Sequence, residues 1–211
     1  MIAVYTAIIG DYDDLKDPIV QSNCDYICFA DHNIKSNVWK IVSISNLDLG
    51  RLSNVRKARY IKTHPHTLLK EYDKTIWVDA NLFIKDDLLK LVDSSSFKLF
   101  KHPFRDCIYD EAVALSTWHI DTQAINRWLE VLKREGYPKH AGLVETNFMI
   151  RDNSEMSIEL DECWWAVINS YSYRDQMSLN YLIWKYKYDV NISDIVIRNS
   201  QYIELVKHNG R

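Results

Sequence analysis

Asp79 and Asn81 stand two residues apart, directly after the apolar run Ile76-Trp77-Val78. Residues i and i+2 of an extended segment point the same way, so a carboxylate and an amide oxygen can converge there on one cation. Both are hard oxygen ligands, suited to Mg2+ or Mn2+ rather than to zinc. Such an ion keeps positions open for water or for a diphosphate. The competing reading is a turn in which the two side chains bond their own backbone. Upstream, Arg56, Lys57, Arg59 and Lys62 form a basic cluster on one expected helix. Guanidinium groups bind phosphate oxygens through paired hydrogen bonds. A solvated basic face is the alternative, although Ala58 and Tyr60 make this stretch less polar than such a face. A hard-metal site, phosphate-binding arginines and strand-end acids together suggest a metal-dependent enzyme using a nucleoside-diphosphate donor.

Further polar residues carry weaker signals. His102, Arg105, Glu111 and Glu145-Thr146-Asn147 fall beside expected strand ends and can grip sugar hydroxyls. Trp164 and Trp165 can stack on an acceptor sugar, but tandem tryptophans on an apolar helix are more often core. Asp175 opens an expected helix and can serve there as an N-cap. His64-Pro65-His66 offers two imidazoles with no evident third ligand and reads as a surface turn.

The elements that must position these groups alternate between strand and helix. Met1–Ile9 is a continuous apolar run of the kind buried on both faces of a sheet. Tyr26–Ala30, Thr75–Val78, Phe97–Phe100 and Leu143–Ile150 read as further strands. Helices are predicted at Asn54–Lys62, at Leu88–Val92 behind Asp86-Asp87, from Asp121-Thr122 to Gly136, at Ile158–Ile168 and at Asp175–Tyr186. This order argues an α/β fold with helices on both faces of the sheet. Ligands collect at the carboxyl ends of strands in such sheets, which draws attention to Asp11, Asp31 and Asp79. The 211 residues carry no repeat or linker and are expected to form one domain, 1–211.

Composition removes several classes. The 5 glycines are too sparse to write a dinucleotide-binding fingerprint or a P-loop. The 4 cysteines form no C-x-x-C pair, so a zinc ribbon and a thioredoxin motif are excluded. A formal charge of -3 gives no general pull toward nucleic acid. No apolar run is long enough for a transmembrane helix. Neither is there a signal-peptide pattern, and the expected location is cytoplasmic.

Several blocks resemble one known family. They are Tyr5–Leu15, Ile27–Asp31, Arg56–Arg59, Ile76–Asn81, His102–Ala112, and the stretch from Trp164-Trp165 to Arg174-Asp175-Gln176. In the same order they are similar to the glycosyltransferase-like family that includes plant enzymes of cell-wall polysaccharide synthesis. More distantly they are similar to the glycogenin-like and lipopolysaccharide-galactosyltransferase family. The resemblance implies a GT-A nucleotide-diphospho-sugar fold with a mostly parallel central sheet flanked by helices. It also implies a Mn2+ or Mg2+ cofactor and transfer of a hexosyl or deoxyhexosyl group, from a donor such as a uridine-diphosphate sugar, to a glycan or glycoprotein hydroxyl with retention. By the same resemblance Asp79, Asn81 and His208 hold the metal. Thr6, Asp11, Tyr12, Asp31, Arg56 and Arg59 join Asp79 in binding the donor. Asp175 and Gln176 lie at the sugar, and His102, Arg105, Trp164 and Trp165 are placed at the acceptor. Asn81 departs from the family's second acid, which weakens the metal motif. Two alternatives are a non-catalytic carbohydrate-binding module, favoured by 7 Trp and 13 Tyr, and a sugar-nucleotide nucleotidyltransferase. Further domains beyond Arg211 are compatible with this reading.

Overall fold

A computed structural model of the protein describes residues 1–10 and 12–207. The elements that build its main sheet are β1 (Ile2–Ile8), β2 (Asp25–Ala30), β3 (Lys40–Ser43), β4 (Lys74–Val78), β6 (Phe97–Lys101), β7 (Val144–Asp152) and β8 (Asn191–Ser193). They run in the order β3-β2-β1-β4-β7-β6-β8. Only β7 is antiparallel to its neighbours, β4 and β6, so the sheet is mainly parallel. A small second sheet pairs β5 (Leu82–Ile84) with β9 (Ile203–Leu205) in antiparallel register.

β1 is buried from Ala3 to Thr6 and again at Ile8, because neighbouring side chains enter different cores. Tyr5 points into one core with Trp77, Phe97 and Leu99, and Val4 and Ile8 point into the other with Ile76, Val78 and Phe148. The first core takes the buried faces of α1 (Asn54–Thr63), α3 (Ile108–Thr117), α4 (Thr122–Arg134), α5 (Glu155–Ser170) and α6 (Leu179–Tyr186). Trp77, Trp128 and Trp164 are wholly buried there. Each such ring contributes on the order of 4–6 kcal/mol of transfer free energy before entropy is counted. The second core is closed by the β5–β9 ribbon, by the 3-10 turn Leu88–Leu91 and by Trp39.

Helices on both faces, as the alternation predicts, are therefore not found among the described residues. The long helices gather on one side, and the other is covered by a ribbon and short turns. The expected helix from Asp175 to Tyr186 is also divided: Asp175–Met177 is a 3-10 turn, Ser178 leaves helical geometry, and α6 begins at Leu179. Asp121 does not cap α4 with its side chain. Its carboxylate accepts hydrogen bonds from Ser172 Oγ at 2.6 Å and from the Tyr173 N–H at 3.1 Å, tying the loop before Asp175 to α4. His64-Pro65-His66 is no surface turn. His64 is buried at the end of α1, and Pro65 opens the short α2 (Pro65–Leu68).

Candidate functional site

A cleft of about 1340 Å3 opens where β1 and β4 end. β1 runs out into Ile9, Gly10, Tyr12 and Asp13, and β4 into Asp79, Ala80 and Asn81. Antiparallel β7 brings its opposite end, Glu145-Thr146-Asn147, to the same edge. The first turns of α1 and the Tyr173–Gln176 loop form further walls, and Leu205–Lys207 completes the rim.

Gly10 adopts φ +68°, a left-handed backbone that suits glycine. Its N–H is received by both oxygens of Asp31, at 2.9 and 3.1 Å. Asp31 thus fixes the exit of β1 from behind and is not among the cleft-lining residues. Burial alone would raise its carboxyl, but hydrogen bonds from His32 and Gly10 hold it below its ordinary value.

Asp79 and Asn81 reach the cleft through a turn rather than an extended segment, with the Leu82 N–H donating to the Asp79 carbonyl at 2.8 Å. The turn is pinned on both sides. The Asp79 N–H donates to the Asn147 carbonyl at 2.8 Å, and the Val206 N–H to the Asn81 carbonyl at 2.9 Å. Asp79 Oδ1 accepts the Trp77 indole N–H at 2.6 Å and lies 3.4 Å from Lys62 Nζ.

Lys62 is the residue that sequence reasoning misjudged. It belongs to the basic cluster by position but is fully buried. Its ammonium bridges Asp79 to Asp175, whose Oδ2 is 2.5 Å away. Arg59 approaches the same oxygen at 3.2 Å. Burial would raise the Asp175 carboxyl, yet the Arg59 and Lys62 charges override it and hold the group well below the carboxylate range. Burial lowers the Lys62 ammonium from its usual value, opposed by the two carboxylates it touches. Trp77 and Trp164 flank the ammonium, with ring centroids at 5.5 and 5.8 Å. Behind it, the Lys62 carbonyl accepts from Tyr5 Oη at 2.7 Å and from Arg151, which is itself paired with Asp161 at 2.5 Å. The helical spacing from Arg59 to Lys62 was visible in the sequence. Its inward direction was not.

Glu145 also faces this wall. It is 1% exposed and paired with Arg198. Burial pushes its carboxyl up, Arg198 opposes that, and the nearby Asp79 charge adds to the rise. Five polar atoms of the lining are buried without a protein partner: Glu145 Oε2, Asn147 Oδ1, Arg174 Nε, Gln176 Nε2 and Arg198 Nε. Buried polar groups are nearly always bonded, so this concentration marks a surface shaped for a polar ligand.

The cleft thus brings together Tyr12, Arg56, Arg59, Asp79, Asn81, Asp175 and Gln176. Arg56 also donates to the Tyr171 carbonyl at 3.1 Å. Other expected site residues lie elsewhere. Thr6 is buried within β1 and Trp164 has no exposed surface, its indole N–H donating to the Asp175 carbonyl at 3.0 Å. Trp164 therefore cannot offer its ring to an acceptor, and it supports the Tyr173–Gln176 loop from within. Trp165 packs edge-on against Tyr60 and His64, outside the cleft lining. His102 accepts the N–H groups of Phe104 and Arg105, and Arg105 pairs with Glu111 at 2.6 Å, so both shape the loop into α3. Asp11 and His208 lie outside the described residues. Among the described residues no helix is long and apolar enough to cross a membrane.

The chain is 28% identical to the alkaline ceramidase TOD1 of Arabidopsis thaliana over 149 residues, covering 56% of this chain and 32% of that protein. The match thus takes in about a third of the relative's length. The model of the TOD1/MUCI70 glycosyltransferase-like domain matches residues 1–210. A family match over nearly the whole chain identifies it as a member of the TOD1/MUCI70 glycosyltransferase-like domain family.

Proposed function

We propose that this domain transfers a sugar from a nucleoside-diphosphate donor, with uridine diphosphate the first nucleotide to test, to a glycan hydroxyl on a GT-A type of fold. The observation that carries the reading is the cleft at the ends of β1 and β4, where Asp79, Asn81 and the α1 arginines share one wall with unpartnered buried polar atoms. A mainly parallel sheet with its ligand cleft at the strand ends is the arrangement nucleotide-binding α/β folds use.

The donor set fits a hard divalent cation, because Asp79 and Asn81 offer carboxylate and amide oxygens. Bound Mn2+ or Mg2+ would supply Lewis-acid neutralisation of the leaving diphosphate. Arg59 and Arg56 hold phosphate oxygens from the α1 side and share the charge that develops as the bond to the sugar breaks. Asp175, occupied by two cations, positions Lys62 and Arg59 rather than accepting a proton. Gln176 bonds the sugar face with its unpartnered amide. Transfer with retention goes with Gln176 at the anomeric carbon. Inversion would require a general base, and Glu145 is the cleft carboxylate whose raised value suits it to take a proton.

A panel of nucleotide sugars with and without Mn2+, read by thermal shift and by nucleoside-diphosphate release, tests the proposal. A ligand at 100 times its Kd stabilises by about 2.7 kcal/mol, roughly 5–10 °C for a domain of this size. Asp79→Ala is expected to remove that shift and the turnover while leaving the apo melting midpoint within a few degrees. Pyrophosphate release, sugar binding that ignores both nucleotide and metal, or turnover of ceramide without donor cleavage would overturn it.

A further inference from the structure

We propose that the transferred sugar carries a carboxylate, as a hexose oxidised at C6 to its uronic acid does, and that Arg174 is the residue that recognises it. The inference rests on the nucleoside-diphosphate donor reading above and narrows it to an acidic sugar.

Most cations of the cleft already have a counter-charge. Lys62 and Arg59 share Asp175, and Arg198 pairs with Glu145. Arg56 stands on α1, beside the proposed diphosphate, and donates to the Tyr171 carbonyl. Lys207 is exposed at the rim. Arg174 differs. It lines the cleft half-buried, and its Nε is buried without a partner. Among the described residues no carboxylate forms an ion pair with its guanidinium. Asp175 feels its charge but is already engaged by Lys62 and Arg59. A partly desolvated charge with an unused N–H costs free energy that an anionic ligand returns.

The fold fixes where that anion lies. Arg174 and Gln176 stand two residues apart on the Tyr173–Gln176 wall, and Gln176 Nε2 is a second buried donor without a partner. Gln176 is the residue assigned above to the sugar, so its neighbour meets the same ring. The wall is also set before the ligand arrives. Asp121 holds Ser172 Oγ at 2.6 Å and the Tyr173 N–H at 3.1 Å, and Ser172 Oγ in turn accepts the Arg174 N–H at 3.1 Å. The Arg174 side chain thus departs from a fixed point, which lowers the ordering cost of binding.

The chemistry of the orphaned atoms favours a carboxylate over a hydroxyl. A sugar hydroxyl accepts from a guanidinium but leaves its charge uncompensated. A carboxylate only accepts, matches the planar fork of an arginine and supplies the missing charge. The diphosphate is the competing anion. It already has Arg56, Arg59 and the cation proposed at Asp79 and Asn81, whereas Arg174 is the one cation of the Tyr173–Gln176 wall.

The test titrates the full chain, with Mn2+ present, by calorimetry. The ligands are uridine diphosphate and two matched pairs of its sugars, glucose against glucuronate and galactose against galacturonate. Within each pair only the C6 group changes, from a neutral alcohol to a carboxylate. In at least one pair the uronate should bind about 10–100-fold tighter, as expected of hydrogen bonds between charged groups. Arg174→Gln should erase that preference and leave the affinity for uridine diphosphate unchanged. Arg174→Lys, which keeps the charge without the fork, should retain part of it. The melting midpoint of the unliganded Arg174→Gln variant should match the native one, because the guanidinium holds no protein partner. Two uronates that bind no tighter than their neutral partners would overturn the inference and leave the donor reading standing. So would an Arg174→Gln variant that loses as much affinity for uridine diphosphate as for the uronates. No binding of uridine diphosphate or of any of its sugars would overturn the donor reading, and this inference with it.

Discussion

At the scale of single residues, the deepest feature of the cleft is an ammonium held between two acids. Lys62 and Arg59 both rely on Asp175 for neutralisation inside the protein. Removing one member of a buried charge group typically costs about 3–5 kcal/mol, because its partners stay buried and uncompensated. Asp175→Asn should therefore lower stability by about that amount, measured by urea denaturation. Lys62→Met alone should cost less, since Arg59 still pairs with Asp175. The double variant should recover part of the Asp175→Asn loss, which a double-mutant cycle reads directly. Asp79, Asn81 and Arg59 were legible as cleft residues because polar residues directly after an apolar run, or on one helix turn, have few places to go, whereas Gln176 was placed only through the family resemblance. Lys62 and Trp164 were not legible, because a charge run reads as surface, and only packing shows which member turns inward.

Among elements, the loop between β6 and α3 depends on one imidazole. His102 Nδ1 accepts two backbone N–H groups, at 3.2 and 3.0 Å, so it must be unprotonated there. Burial, only partly offset by Glu111, pushes this imidazole down to about 4. The unfolded chain takes up that proton near pH 6.5 and the folded chain resists until about 4. Stability is thus fully present above pH 6.5 and falls as the pH drops through that window. Denaturation midpoints between pH 7.5 and 4.5 should decline in the native protein and flatten in His102→Gln. The long strands and the amphipathic α4 could be read from their periodicity. β3, β8 and β9 have only three or four residues, and α3 follows Cys107, which gives it no side-chain cap, so their sequences carry no comparable signal. Such elements exist because a neighbour pairs with them or covers them.

The whole molecule is a sheet between unlike coverings, with helices on one side and the β5–β9 ribbon on the other. The ribbon also carries Leu205–Lys207 to the rim of the cleft, so the second core and the site share a support. Ile203 has no exposed surface in that core. Ile203→Ala should cost about 2–5 kcal/mol through lost burial and the cavity left behind. If the ribbon holds the rim, nucleotide-sugar affinity should fall as well, measured by calorimetry below the melting transition. Unchanged affinity would mean that the rim is held by the Asn81–Val206 hydrogen bond alone.

Two indoles, those of Trp77 and Trp164, enclose the Lys62 ammonium, and Trp77 donates to the very carboxylate proposed to meet the cation. Indole emission responds to charge rearranged beside the ring, so the protein holds an intrinsic optical reporter at the proposed site. Occupancy of the cleft should change the fluorescence without any added label. Trp77→Phe should silence most of that change, although six other tryptophans continue to emit.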